Sequence, residues 1–563
     1  MQTHLLCGGL MEFSLLQLRR DAPSRRNLAR QWLLYGCAVL SLPAVIHSPA
    51  HALPGQDASA YQRTVLEIQA QIEAGNLDQA RSEIADAARR YPHDGGIENL
   101  LGIIEIQQGN TTAAGKSFSQ AIADNPKLIG AYLNLSRIKM QVAATDRTAR
   151  AEALRLVLKV LQLDPRNDEA HYQAATILSW NKEYRSSLEH LKQLSSESRT
   201  KVGAQALLCA DTASFGFREQ TGEAAESLAA NPDLSEQDTE ACVPSLRAAR
   251  RADLIELLLT AEAQRQPLSP AGQRLLGLAQ EAQGKLQAAR STLESAFTSD
   301  PKSVALLEDL TRVAKASNDN QAALGYLAHA RDIEPANPAL AYEFGAICVR
   351  MGLFAEARKA ISEALRLDPD NPDYNFGMGV VVSFSADPPQ ALPYLMRYHA
   401  LRPRDPSGTL ALGAANFRAK DHDAATNWLK QAALSAKTAA EAHYYLGRIA
   451  RQESRLDDAT AELKRSLALQ PDQPDALAEL GQISAQNRDF AQAATYFEQA
   501  LHKDPDNYAA NFGLLQLYAR TGDPRREQQS RRFDALKTMK EEQDKQMMRM
   551  IEIRPNASAD AGK

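Results

Sequence analysis

Between Pro270 and Asn507 the sequence repeats every 34 residues, seven times over, in phase and without a gap. A chain with this period cannot be built around one globular core. Each row is a short unit whose apolar face is too small to close on itself, so rows must stack to bury it.

The columns of the repeat identify the parts of each row. One column reads Gly277, Thr311, Gly345, Gly379, Gly413, Gly447 and Gly481. Twelve residues on, all seven rows carry alanine: Ala289, Ala323, Ala357, Ala391, Ala425, Ala459 and Ala493. Four further on stands a large apolar residue, Leu293, Leu327, Ile361, Leu395, Leu429, Leu463 or Phe497. Rows close on Pro301, Pro335, Pro369, Pro403, Lys437, Pro471 and Pro505. In the row Ala440–Gln473 the apolar spacing predicts two helices, about Glu441–Gln452 and Leu456–Leu469, broken by the polar run Glu453–Ser454–Arg455. Gly447 and Ala459 are small where the helices cross, and Pro471 ends the row because it cannot continue a helix.

Glycine, alanine, large apolar residue and proline in this order resemble the tetratricopeptide repeat, which Pro338–Asn371 and Pro474–Asn507 match almost throughout. The resemblance implies an all-α, right-handed superhelical solenoid. Counting the weaker rows, it would hold about 13–14 helix pairs. It also implies peptide or protein binding on a concave face lined by the first helix of each pair, and it implies no reaction and no cofactor.

Before the regular array, residues 53–199 read as an N-terminal array of looser rows, such as Gly95–Leu128 with Gly102, Ala114, Phe118 and Pro126. The row Ile129–Asn167 carries about five extra residues, expected to lengthen a loop or a helix end. From 200 to 269 the phase is lost while helical patterning persists, which reads as two decayed repeats or a hinge. After the array, residues 508–553 hold a last helix and a long charged helix. Its stripe of Phe533, Leu536, Lys540, Gln543, Met547 and Met550 suits a cap over the end of the stack. Residues 554–563 are expected to be a disordered tail.

Residues 1–52 are not expected to belong to the fold. Five arginines up to Arg30 precede the apolar run Trp32–Ile46, and small residues follow at Ala50 and Ala52. That is the pattern of a secretory signal peptide cleaved after Ala52, and Ser24–Arg30 is similar to the twin-arginine export motif. A periplasmic or envelope location follows as the expectation, with an uncleaved N-terminal anchor as the one route to the membrane. Cleavage would leave Cys209, Cys242 and Cys348, too few for a disulfide framework, though the first two could pair in an oxidising compartment.

Chemistry is expected to be absent. The chain has no zinc-binding H-E-x-x-H, nucleophile-elbow G-x-S-x-G, phosphate-loop G-x-x-x-x-G-K or dinucleotide G-x-G-x-x-G, and its histidines lack ligand spacing. No catalytic residue, metal or cofactor is therefore expected. With 64 basic and 69 acidic residues and a net charge of −5, nucleic acid is not an expected partner either.

What remains is a binding surface. Helical spacing puts the residues three before and one, four and five after the glycine column on the exposed side of the first helices. Those places hold no Asp or Glu over the last six rows, counted from the row of Gly345 and taking Leu515 as the final member of the column. They do hold Tyr342, Arg350, Phe376, Phe384, Phe417, Arg418, Tyr444, Arg448 and Arg451, followed by Phe512 and Arg520. Arginine and aromatic side chains are the usual anchors of protein interfaces, and an arginine fork suits a carboxylate. The expected function is a non-catalytic scaffold binding an extended, acidic or C-terminal peptide segment over residues 338–520. A periplasmic chaperone or adaptor, or an accessory subunit of a glycosyltransferase or polysaccharide-export system, are the alternatives.

Overall fold

Most first helices begin with a short polar residue that caps them, often followed by proline in the first turn. Asn371 accepts from the backbone N–H groups of Asp373 and Tyr374 ahead of Pro372, and Asp405 accepts from Ser407 ahead of Pro406. The cap satisfies donors that a helix start leaves orphaned, and proline has no N–H to orphan there. The carbonyl of the proline that closes the previous row is also used. Asn375 donates to Pro369 O at 2.8 Å and Asn511 to Pro505 O at 3.0 Å, each six residues on. The turn between rows is thus pinned at both ends.

The structure is a computed structural model describing residues 55–384 and 388–552, with side chains from 59 to 542. The expected signal segment 1–52, the tail 554–563 and the side chains of Gln543, Met547 and Met550 lie outside the described residues. All regular structure among the described residues is helical, in 13 consecutive pairs followed by Tyr508–Thr521 and Arg526–Glu552. Contacts group the pairs into two compact units that divide at Pro301. The chain is an all-α solenoid of stacked helix pairs, and none of its described helices is long and apolar enough to cross a membrane.

The N-terminal unit holds seven pairs, from Gly55–Glu73 with Leu77–Arg90 to Pro270–Ala282 with Leu286–Ser299, plus the single turn Ser196–Arg199. Its long row absorbs the extra residues into helix. Ile129–Ala143 has 15 residues and Arg147–Leu163 has 17, against 13 and 14 in the regular row that starts at Pro270. The irregular stretch forms two pairs, Val202–Phe215 with Arg218–Ala229 and Glu236–Ala248 with Ala252–Ala263. There first helix packs on first helix and second on second.

The C-terminal unit holds six pairs, from Val304–Ala316 with Asn320–Ile333 to Pro474–Gln486 with Phe490–Lys503. Its glycine column has a more specific cause than the crossing of two helices. A Cβ on Gly447 would stand 2.7 Å from Leu463 Cγ, and one on Gly413 2.7 Å from Leu429 Cγ. Each glycine admits the large side chain sixteen residues later, and the alanine column is fully buried beside it. Thr311 takes the glycine place in one row and turns its hydroxyl back to Leu307 O at 2.7 Å. In another, Pro388, Pro389 and Pro393 change the second helix. Ala391 lies in a short 3₁₀ turn, Pro388–Ala391, and the α-helix Leu392–Leu401 has only 10 residues.

A further column, invisible in residue type, emerges in the turn inside six of the seven rows. Seven places after the glycine column φ is positive: Gly284 (76°), Asn318 (57°), Gly352 (76°), Lys420 (63°), Ser454 (62°) and Arg488 (64°). This left-handed residue reverses the chain between helices and suits glycine best. Glycine at Lys420, Ser454 and Arg488 together is therefore expected to stabilise the C-terminal unit by about 1–2 kcal/mol. A thermal melt of the triple variant with an unchanged or lower Tm would show that these side chains carry no strain.

The terminal helix Arg526–Glu552 docks through Phe533, one member of the expected stripe. Phe533 is buried with its ring 4.9 Å from Tyr508 and 5.4 Å from Phe512, and Gln529 donates to the Asn511 carbonyl at 3.0 Å.

Candidate functional site

The arginine and aromatic residues of the first helices do come together, as a ladder running from one row to the next. The Tyr342 ring lies 4.9 Å from Tyr374, and Phe376 lies 4.8 Å from Tyr398. Phe384 stacks on Phe354 at 5.7 Å and carries the Arg418 guanidinium 4.4 Å above its centroid. Arg448 in turn sits 4.8 Å over Phe417 and 5.5 Å from Tyr444. Each guanidinium lies against the negative face of a ring in the preceding row, which orients it without neutralising it.

Two parts of the sequence expectation need correction. The face expected to be open is largely closed from 372 to 418. Phe376, Val380, Ser383, Leu410, Ala414 and Phe417 are all buried, as is Tyr444. The helices Pro372–Ser383 and Pro406–Arg418 are apolar or small on every side, so neighbouring helices pack around them completely. Burial pushes the Tyr342 and Tyr444 hydroxyls well above the ordinary tyrosine range.

Nor is the face free of acid. Glu479, two residues before Gly481, is buried between two arginines, with Oε1 3.1 Å from Arg448 Nε and Oε2 2.5 Å from Arg451 Nε. The same offset joins Lys315 to Glu343 at 2.6 Å, from four residues after one column to two before the next. A cation and an acid in those two places tie consecutive first helices, and that phase was the signal the sequence reading passed over. Arg448 and Arg451 are therefore already matched with a carboxylate.

Arg350 and Arg418 are not. Arg350 donates to Asn320 Oδ1 at 3.0 Å, and Arg418 to the Tyr445 hydroxyl at 3.3 Å. Neither has a carboxylate at ion-pair distance among the described residues. Arg418 lies near Glu441, whose carboxyl is pushed up to about 7 by burial, against the pull of the Arg418 charge. Arg418 is thus a half-buried, ring-oriented cation, and the neighbouring Glu441 is neutral over part of the physiological range. No described group of His, Cys, Asp and Glu residues has the makings of a metal site.

Family models of the tetratricopeptide repeat match residues 314–375 and, in a second version, 65–128, 240–304, 427–474 and 478–526, together about half of the chain. The chain belongs to the tetratricopeptide-repeat family. The second model reaches into the irregular stretch, where the phase of the repeat is lost. Tetratricopeptide-repeat proteins bind other proteins or peptides, and this chain has the general build of such an interaction scaffold. No curated protein matches it.

Similar solved structures include the hetero-tetramer Cut9–Hcn1 of APC/C, 13% identical over 81% of this chain and 96% of that one, TM-score 0.35. Yeast Tom70 is 14% identical over 86% of this chain and 97% of its own, TM-score 0.33. A tetratricopeptide-repeat protein from Parabacteroides merdae is 13% identical over 44% and 98%, TM-score 0.41.

Proposed function

We propose that this chain is an exported, non-catalytic scaffold of the periplasm or cell envelope, which holds an extended acidic or C-terminal peptide segment of a partner against its first helices between 338 and 520. Export is supported by the basic and apolar pattern of the first 52 residues. N-terminal sequencing of the protein from fractionated cells is expected to begin at Leu53.

The observation that carries the peptide reading is Arg418. Its guanidinium is oriented by Phe384 at 4.4 Å and lacks an internal ion pair. A fork held in this way loses little entropy on meeting a carboxylate, and partial burial protects the pair from salt. Arg448 and Arg451 support the surface indirectly, by holding rows together through Glu479.

Arg418→Gln is expected to weaken binding of a fluorescent oligo-glutamate peptide with a free C-terminus by roughly tenfold at low salt. Glu441 gives the reading a pH dependence. Below about 7 it is neutral and leaves Arg418 to the peptide, and above that it ionises and competes. Wild-type binding is therefore expected to be tighter at pH 6 than at pH 8, and that difference should vanish in Glu441→Gln. Anisotropy titrations giving one affinity for wild type and Arg418→Gln would exclude Arg418 as the anchor.

A further inference from the structure

Two thiols meet in the core of the irregular stretch. Cys209 lies on Val202–Phe215 and Cys242 on Glu236–Ala248, the first helices of consecutive pairs, which pack on each other. Both are fully buried in one apolar cluster with Ala206, Val243 and Leu246. Cys242 Sγ is 3.3 Å from the carbonyl of Ala206, one turn before Cys209 on the facing helix, and 3.3 Å from the Asp238 carbonyl of its own helix. Alanine at 206 is what lets the helices approach this closely.

We propose that Cys209 and Cys242 are joined by a disulfide when the chain folds in the presence of a disulfide oxidant. The step is two successive thiol–disulfide exchanges. The thiolate of one cysteine attacks the oxidant, breaking its S–S bond and releasing one oxidant thiol. The other cysteine then attacks the mixed disulfide, releasing the second oxidant thiol. The protein pair loses two electrons and two protons, and the oxidant gains both.

Burial sets the timing. The neighbouring Cys209 and the loss of solvent push the Cys242 thiol well above its ordinary range, and in the folded protein both side chains are fully buried, out of reach of an oxidant. The link therefore forms before the two helices dock, and docking then shields it from reductants. It would close a loop one whole helix pair long, beside Pro244, whose missing N–H leaves a gap in the hydrogen-bond ladder of its helix. Such a staple constrains the unfolded ensemble where the repeat pattern is weakest. Cys348, buried in the C-terminal unit, stays a thiol.

Peptide mapping of the full chain tests this. The protein is unfolded under reductant, refolded in mixed reduced and oxidised glutathione, acid-quenched, alkylated and digested. The expected product is one cross-linked peptide joining Cys209 to Cys242, with Cys348 alkylated. The same oxidant added to folded, reduced protein should form the link at least about tenfold more slowly. Recovery of both cysteines alkylated from refolded, helical protein would overturn the proposal, as would Cys242 linked to any other cysteine. As a second readout, reductant should lower the Tm of the refolded protein by roughly 5 °C and leave that of the Cys209→Ala, Cys242→Ala double variant unmoved. Equal responses would count against the link.

Discussion

Alanine at Gly481 is expected to destabilise the C-terminal unit by about 2–3 kcal/mol, although alanine is the better helix former. The new Cβ would stand 2.6 Å from Cε1 and 2.7 Å from Cδ1 of Phe497. That ring cannot retreat, because on its other side a Cβ at Gly513 would meet Cε1 and Cζ at 2.4 Å. Phe497 is clasped between glycines of two successive first helices and is 1% exposed. In leucine rows the side chain could rotate, and a rigid ring between two backbones has no such freedom. The sign should reverse once the ring is gone. In a Phe497→Ala background, itself costing about 3–5 kcal/mol, Gly481→Ala should stabilise by up to about 1 kcal/mol through helix propensity. Denaturant titrations of the four proteins close the cycle, and destabilisation of equal size in both backgrounds would refute the steric account.

Asp211→Asn is expected to stabilise the N-terminal unit by about 2–3 kcal/mol at pH 8 and by little or nothing at pH 4. Asp211 is 1% exposed; one carboxyl oxygen accepts from the Ser179 hydroxyl at 2.5 Å, and the other is buried with no partner. Burial pushes this carboxyl up to about 6 from an ordinary 3.8, outweighing the Ser179 hydrogen bond that pulls it down. The folded state thus holds the proton more tightly than the unfolded one. The contribution of Asp211 to stability is fully present below about pH 3.8 and is lost as pH rises through about 6. Asparagine has the shape of the protonated acid at every pH. The Tm of the wild type should therefore fall between pH 4 and pH 7 relative to that of the variant. Parallel curves would show that Asp211 titrates normally.

Much of the fold was legible because the signals are local. The apolar spacing in Ala440–Gln473 put helices at Glu441–Gln452 and Leu456–Leu469, and the structure has Ala439–Gln452 and Leu456–Leu469. The glycine, alanine and proline columns marked the crossing and the turns, and Phe533 marked where the last helix docks. The positive-φ column was not legible. Glycine, asparagine, lysine, serine and arginine share no side-chain property, and the angle at which two helices dock imposes the conformation. The 3₁₀ turn at Ala391 was hidden as well, since its alanine obeys the repeat while three nearby prolines reshape the backbone.

The candidate site was legible in kind but not in state. Arginines and rings could be assigned to the first helices one row at a time. Whether Phe376 and Phe417 are covered, and whether Arg448 and Arg451 meet a carboxylate, depends on neighbours about 30 residues away. Glu479 falls one step from the places expected to be exposed, and a rotation of one step about a helix axis is enough to turn it inward.

By itself the sequence determined that this chain is a stack of helical hairpins, because a hairpin is written into each 34-residue row by contacts within that row. Tertiary structure alone decided which arginines lack an internal carboxylate, which acids hold their protons more tightly and which two thiols share one core. Those outcomes depend on the rotation between consecutive rows, and that rotation is set by the packing of many side chains at once, none of which specifies it alone.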